Sequence, residues 1–518
     1  MSAEELDLQV DSHSAPQINK TPERLAAEHM YRNFYPPLAR GMRVLDRSVF
    51  KKSVPMTAAK ILDLRMMGEI RKNCKSDWFN PPFQVKLQRM IEDEQGRKSL
   101  LLKPDAKKDD LSTVSEAMRG YIEKKVLELT DYTLELDYDA WNYAEIIAAI
   151  LPEELSDELP QGFTRTGHIA HLNLREQYQP YKKIIGEILL DKNRAHIRTV
   201  ISKLDMVGVA SKFRTFPMEV LAGDEDTQVE VHELDCTYSF DFRDVYWNSR
   251  LEHEHRRIVD KCQPGEAVCD VMAGVGPFAM PLGKKRVITW ANDLNPESYK
   301  ALLGNIQTNK VQPFVFASND DGALHIRQSV RKLYKLAHSP SNRIAIPLSA
   351  KAAKQARRAE IVAWEGQKPA PEPTPVPGYI PVPETFSHFI MNLPDSAITF
   401  LGAFIGSHYK MEHLFTPHTQ AELPFVHVYC FQRPVDDEQD LKDIAERCSK
   451  YLQFNLDPSA IDLHYVRLVA PNKRMYCASF RLPKEVAFAD PASVIQESDF
   501  TPEQREELER LIRWEIIQ

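Results

Sequence analysis

The spacing of apolar and polar positions changes several times along this chain, and the changes mark out its parts. Residues 1–48 keep no steady period and read as a tail. Apolar residues three and four apart in "MTAAKILDLRMMGEIRKNC" (56–74) predict a helix. "TLELDY" (133–138) predicts a strand and "NYAEIIAAILPEEL" (142–155) a second helix. These suggest one module over 49–140 and another over 141–240. The latter holds an alternating stretch, "GFTRTGHIAHLNLRE", and a helix, "PYKKIIGEILLDKN". Two strands around the polar turn "GDED" (223–226) complete it.

From 241 to 485 strands and helices alternate. "EAVCDVM", "RVITWAND", "PFVFAS", "FSHFIMN", "PFVHVYCF" and "DLHYVRLV" predict strands. "EHEHRRIVDKC", "NPESYKALLGNIQTNK", "DSAITFLGAFIGS" and "QDLKDIAERCSKYL" predict the helices among them. Asn295 suits an N-cap and Pro296 the first helical position. The last strand, "RMYCASFRL", follows its predecessor after a short loop, which permits only an antiparallel partner. The pattern is that of an α/β, doubly wound sheet. A basic and Pro-rich insert is expected at 322–385, its cationic first part reading as a solvated loop, with an RNA-contacting arm as the alternative. A C-terminal helix is expected within 486–518, with Thr501 and Gln504 as a capping box.

Composition narrows the function. With 43% hydrophobic and 27% charged residues the 518-residue chain is of ordinary globular make-up, and no apolar run approaches a bilayer span. A net charge of −8 means that a nucleic-acid partner must be held by local basic surface. Seven scattered cysteines without a C-x-x-C pair argue against a zinc site and for a reducing compartment. No metal-ligand set is expected.

The densest chemistry lies in "DVMAGVGPFAM" (270–280), a strand running into two glycines. Such a turn lets backbone N–H groups approach a ligand, in dinucleotide folds and methyl-donor folds alike. Asp270 lies where a carboxylate can face a methionyl ammonium, and Asp293 where one can accept ribose hydroxyls. Asp321 follows the third strand, within reach of an adenine edge. "MNLP" (391–394) ends the fourth strand with an amide and fixed carbonyls, which suit a planar nitrogen heterocycle. That favours S-adenosyl-L-methionine over a nicotinamide cofactor.

Seven segments, "GHIAHLNLRE", "FRTFPMEVLAG", "YWNSRLEHEHRRI", "DVMAGVGPFAMP", "NDLNPESYKALLGNI", "NDDG" and "MNLPDSAITFL", run in order from about 160 to 405. Through them the chain resembles the tRNA (guanine-37, N1)-methyltransferases of eukaryotes and archaea. The resemblance implies a Rossmann-like class I methyltransferase domain with α+β N-terminal tRNA-recognition domains. It implies transfer of a methyl group from S-adenosylmethionine to N1 of guanine 37, with inosine 37 a further substrate. It places a general base on Glu254, support for charge on O6 on Arg214, base stacking on Tyr246 and an edge contact on Asn392. His255, Asp270, Gly274, Asp293, Leu294, Asp321, Gly322 and Asn392 fall at the methyl donor. The implied partner is tRNA, with no DNA and no membrane, for a monomer in the cytoplasm with shares in nucleus and mitochondrial matrix. Two other readings stay open: an amine N-methylase using "NLP", and an RNA-binding protein with a methylase fold and no activity.

Overall fold

The computed structural model describes residues 30–80, 90–92, 96–155, 158–204, 213, 215, 217–348, 351–354, 356–358, 378–433, 435–470 and 472–490. Arg214, the tail through residue 29 and the expected C-terminal capping box lie outside them. The described residues form two compact units, one of 30–204 with 217–226, the other of 213, 215 and the residues from 227 onward.

The first unit carries two four-stranded sheets. Strands β1 (Lys52–Ile61), β2 (Met90–Glu92), β3 (Lys98–Leu101) and β4 (Leu127–Leu136) are ordered β2-β3-β1-β4, all antiparallel. Strands β5 (Phe163–Thr166), β6 (Ile169–Leu172), β7 (Thr199–Lys203) and β8 (Met218–Gly223) form the other in chain order. Helices α1 (Met67–Asn73), α2 (Glu116–Glu123), α3 (Tyr143–Ile150) and α4 (Lys182–Lys192) cover them. The helix expected over 56–74 is a strand for its first part. β1 pairs with β4 from Lys52–Leu136 to Ile61–Leu127, and this long ladder outweighs the local helical spacing. No division falls at 140: Phe50, Leu134, Trp141, Ile184 and Leu221 belong to one buried cluster.

The "GDED" turn also reads differently in the structure. β8 closes the first unit, whereas β9 (Gln228–Glu233) and β10 (Cys236–Asp241) form a separate hairpin in the second. The second unit's sheet holds β11 (Ala267–Asp270), β12 (Ile288–Asn292), β13 (Val315–Ser318), β16 (His388–Met391), β17 (Phe425–Gln432), β18 (Asp462–Ala470) and β19 (Lys473–Arg481). Its order is β13-β12-β11-β16-β17-β19-β18; β19 alone runs against the others, so both of its ladders are antiparallel. The short ribbon of β14 (Arg343–Ala345) and β15 (Tyr379–Pro381) stands apart. Helices α5 (Glu252–Lys261), α6 (Ala279–Lys284), α7 (Pro296–Asn309), α8 (Gly322–Ala337) and α9 (Asp437–Leu452) flank the sheet, and Ala397–Phe404 is a 3-10 helix. This is the doubly wound α/β architecture that the alternation predicts.

One expectation fails inside it. Residues 322–337 are not a solvated loop but α8, whose Ile326, Val330 and Leu333 are fully buried in the main core. Their spacing of four and three is an amphipathic pattern masked by the cations between them. Two of those cations, Arg327 and Arg331, donate to the carbonyls of Ile405, Gly402 and Tyr409.

Candidate active site

In a doubly wound sheet the crevice opens at the carboxyl ends of the strands, where the chain order reverses. Here that point lies between β11 and β16. Asp270 is the last residue of β11, Asp293 follows β12, Asp320 and Asp321 follow β13, and Asn392 follows β16. Four strand ends thus bring together residues more than a hundred positions apart.

Beyond β11 the chain must turn sharply, and Gly274 and Gly276 adopt φ of +56° and +96°. A Cβ on Gly274 would meet no protein atom within 4 Å, so this side of the loop is open. A Cβ on Gly276 would stand 2.7 Å from Met280 and 2.9 Å from Leu302, so this glycine permits close packing beneath the loop. Asp293 fastens the loop from the neighbouring strand. One carboxylate oxygen accepts from Gly274 N–H at 2.8 Å and the other from Asn295 N–H at 2.9 Å. Burial raises its pKa and these bonds oppose the rise. Asn295 caps α7 and Pro296 begins it, as expected.

Asp270 is fully buried, and neither carboxylate oxygen has a hydrogen-bond partner among the described residues. Burial, and then the nearby Asp293, hold its carboxyl well above the usual carboxylate range. A buried acid without a donor calls for a cation in the crevice. Asp321 caps α8, accepting from Ala323 N–H at 2.9 Å, while Gly322 is buried against Phe400 and Met272. Leu294 is exposed beside the loop and Asn392 is half-buried.

Sequence reasoning missed Asn292, which ties these ends together. Its amide donates to the carbonyls of Val271 and Asp320, and its side-chain oxygen accepts from Ser318 Oγ and Asp320 N–H. Its own carbonyl accepts from Ala273 N–H at 2.6 Å. A buried polar residue directly before an acid at a strand end was the available signal.

Glu254 lies in the first turn of α5 and is only 4% exposed. Arg257, one turn on, donates to both oxygens at 2.7 Å, and the Tyr429 hydroxyl donates to Oε1 at 2.7 Å. The half-exposed His464 comes within 3.5 Å of Oε2. His255 is also buried; its Nδ1 pairs with Glu233, and its ring meets Phe278 of the glycine loop edge-on at 4.8 Å. Tyr246 is exposed, whereas Trp247 packs against Tyr238 and Phe240. The i, i+3 spacing of Glu254 and Arg257 was legible in the sequence; Tyr429 and His464, from distant strands, were not.

Residues 143–227 match the TYW2 N-terminal domain model and residues 229–333 the TRM5/TYW2 methyltransferase domain model. The chain is 44% identical over 499 residues to the tRNA (guanine(37)-N(1))-methyltransferase of Aspergillus fumigatus, covering 93% of this chain and 99% of that one. The chain belongs to the TRM5/TYW2 family of tRNA guanine-N1 methyltransferases. The Schizosaccharomyces pombe family member of the same name is 45% identical over 87% of this chain and 96% of its own. The solved Trm5b structure from Pyrococcus abyssi is similar at 20% identity, over 82% of this chain and 99% of that chain, with a TM-score of 0.48. The family's class I domain takes S-adenosylmethionine, and the crevice suits it. An unpaired buried carboxylate awaits a cation, the glycine loop is open to solvent, and a second acid keeps lone pairs free for hydroxyls.

Proposed function

We propose that the protein methylates N1 of guanosine 37 in tRNA, with S-adenosylmethionine as donor. The observation that carries this reading is the likeness to fungal enzymes of that name over nearly the whole of both chains. Asp270 receives the methionyl ammonium, Gly274 brings its backbone against the donor, and Asp293 accepts from the ribose. Leu294, Asp321 and Gly322 border the adenine, and His255 holds the glycine loop through Phe278.

When bound, the donor supplies an electrophilic methyl group on a sulfonium. Guanine N1 carries a proton and is a poor nucleophile until that proton leaves. Glu254 takes the proton. Its Oε1 already accepts from Arg257 and Tyr429, whereas Oε2, among the described residues, accepts only from Arg257 and keeps a lone pair on the His464 side. Arg257 and Tyr429 thereby fix the carboxylate while leaving that oxygen able to act. Tyr246 stacks on the base, Asn392 holds its edge, and Arg214 balances charge on O6. The protein acts as a monomer in the cytoplasm, with shares in nucleus and mitochondrial matrix that fractionation would measure.

The test is incubation with labelled donor and unmodified tRNA, followed by nucleoside analysis. 1-Methylguanosine is the expected product. Another methylated nucleoside, or donor binding with no transfer, overturns the reading.

A further inference from the structure

Three side chains of β18 meet three successive stations of the segment that carries Glu254. Asp462 pairs with Lys261 at 3.2 Å at the far end of α5, and His464 approaches Glu254 at 3.5 Å in its first turn. Arg467 reaches Asn248 at 3.5 Å in the loop before the helix. In a regular strand 462, 464 and 466 would share a face and 467 would point away. A register shift against β19 between Tyr465 and Arg467 moves that parity by one residue. The irregularity turns Arg467 toward α5.

Arg467 arrives beside Tyr246 and Arg250, and Asn248 links all three. The Asn248 amide donates to the Tyr246 hydroxyl at 3.3 Å, and its Oδ1 accepts from the Arg250 backbone N–H at 3.2 Å and from Arg467. Among the described residues the Arg467 guanidinium otherwise donates only to the Leu468 carbonyl, at 3.3 Å. Among the described residues no carboxylate pairs with Arg467 or Arg250. Burial, and then the charge of Arg250, lower the pKa of Arg467. Two cations held together without an acid leave an anion's place open, and guanidinium forks fit phosphate oxygens in two-point contact. Tyr246, 47% exposed, stands at the same spot with a face free for stacking. A chain of net charge −8 must attract a polyanion through such local clusters.

We propose that Arg467, re-aimed by the β18 bulge, forms with Arg250 a phosphate-binding fork. It grips the RNA phosphodiester next to the base received at Tyr246. The fork rests on the reading of this site as a tRNA-base methylase, and its test separates the two. Full-length R467A and R467K are compared with wild type by filter binding of unmodified tRNA across a salt series, and by calorimetry with S-adenosylmethionine. R467A should keep wild-type donor affinity, bind tRNA about tenfold more weakly, and lose roughly one from the slope of log affinity against log salt. R467K keeps the charge and should keep the slope while recovering only part of the affinity. Wild-type affinity and slope in R467A overturn the fork, even where the wild-type protein makes 1-methylguanosine. Loss of donor affinity in both variants also overturns it, because Arg467 then serves the fold. If wild type binds tRNA but methylates another nucleoside, the expected R467A slope change still upholds the fork while the guanine-37 reading fails.

Discussion

Asp270 and Glu254 are both buried acids, yet their surroundings set them to opposite tasks. Asp270 has no donor among the described residues, and burial together with Asp293 raises its pKa well above the ordinary 3.8. A carboxyl whose folded pKa exceeds its unfolded one favours the folded state in acid, and that contribution is lost as pH rises above the unfolded value. Asp270→Asn should therefore raise the melting temperature of the ligand-free protein at neutral pH, with the gap closing toward about pH 4. The same change should weaken S-adenosylmethionine binding by roughly tenfold or more, since a charged hydrogen bond is lost. Calorimetry on one preparation reads both effects, and a variant that gains stability without losing affinity would free Asp270 from the donor. Glu254, by contrast, is held by Arg257 and Tyr429. Glu254→Gln keeps the shape but not the basicity, so single-turnover transfer should fall by roughly 10²-fold with donor affinity nearly unchanged. A variant as fast as wild type, with the same pH profile, places the base elsewhere.

Among the elements, the glycine loop divides its two glycines between different tasks, and α8 departs from its sequence reading. Gly274 has open space where a side chain would go, so Gly274→Val meets no protein clash; its cost comes from the positive φ and from the volume denied to the donor. It should fold and fail to bind S-adenosylmethionine, whereas Gly276→Ala presses on Met280 and Leu302 and should lower stability first. Thermal melts paired with calorimetry distinguish the two. α8 shows why charge alone is a poor guide: its cations lie between apolar positions that face the core, and only the periodicity separates a buried helix from a solvated loop. The ends of the true insertion are set by the β14–β15 ribbon, continued by Ile346 N–H donating to the Gly378 carbonyl at 2.8 Å. Replacing 349–377 with a short Gly/Ser linker should keep donor binding and transfer and weaken tRNA binding by no more than about tenfold. Excising 326–384 instead removes Ile326, Val330 and Leu333 from the core, and no folded catalytic unit is expected. A folded, active 326–384 deletion would show that α8 is dispensable.

At the level of the whole molecule, the local signals carried far in the second unit and less far in the first. The alternation of strands and helices, the antiparallel last strand, the Asn295–Pro296 helix start and the acids at the strand ends were all legible. Each depends on residues close in sequence, on turn chemistry and on a period that a parallel sheet imposes. What the tertiary structure alone decided depends on distant partners. β1 is a strand because β4 lies beside it, and residues 30–204 with 217–226 are one unit because Phe50, Trp141 and Leu221 share a core. β9 and β10 join the second unit because Asn305 and Asn309 of α7 accept the backbone N–H groups of Ser239 and Thr237. Glu254 is a clamped acid rather than a solvated one because Tyr429 and His464 arrive from strands far along the chain. Periodicity shows which face of an element is buried; what that face meets is settled by burial and hydrogen bonding between segments that no local pattern connects.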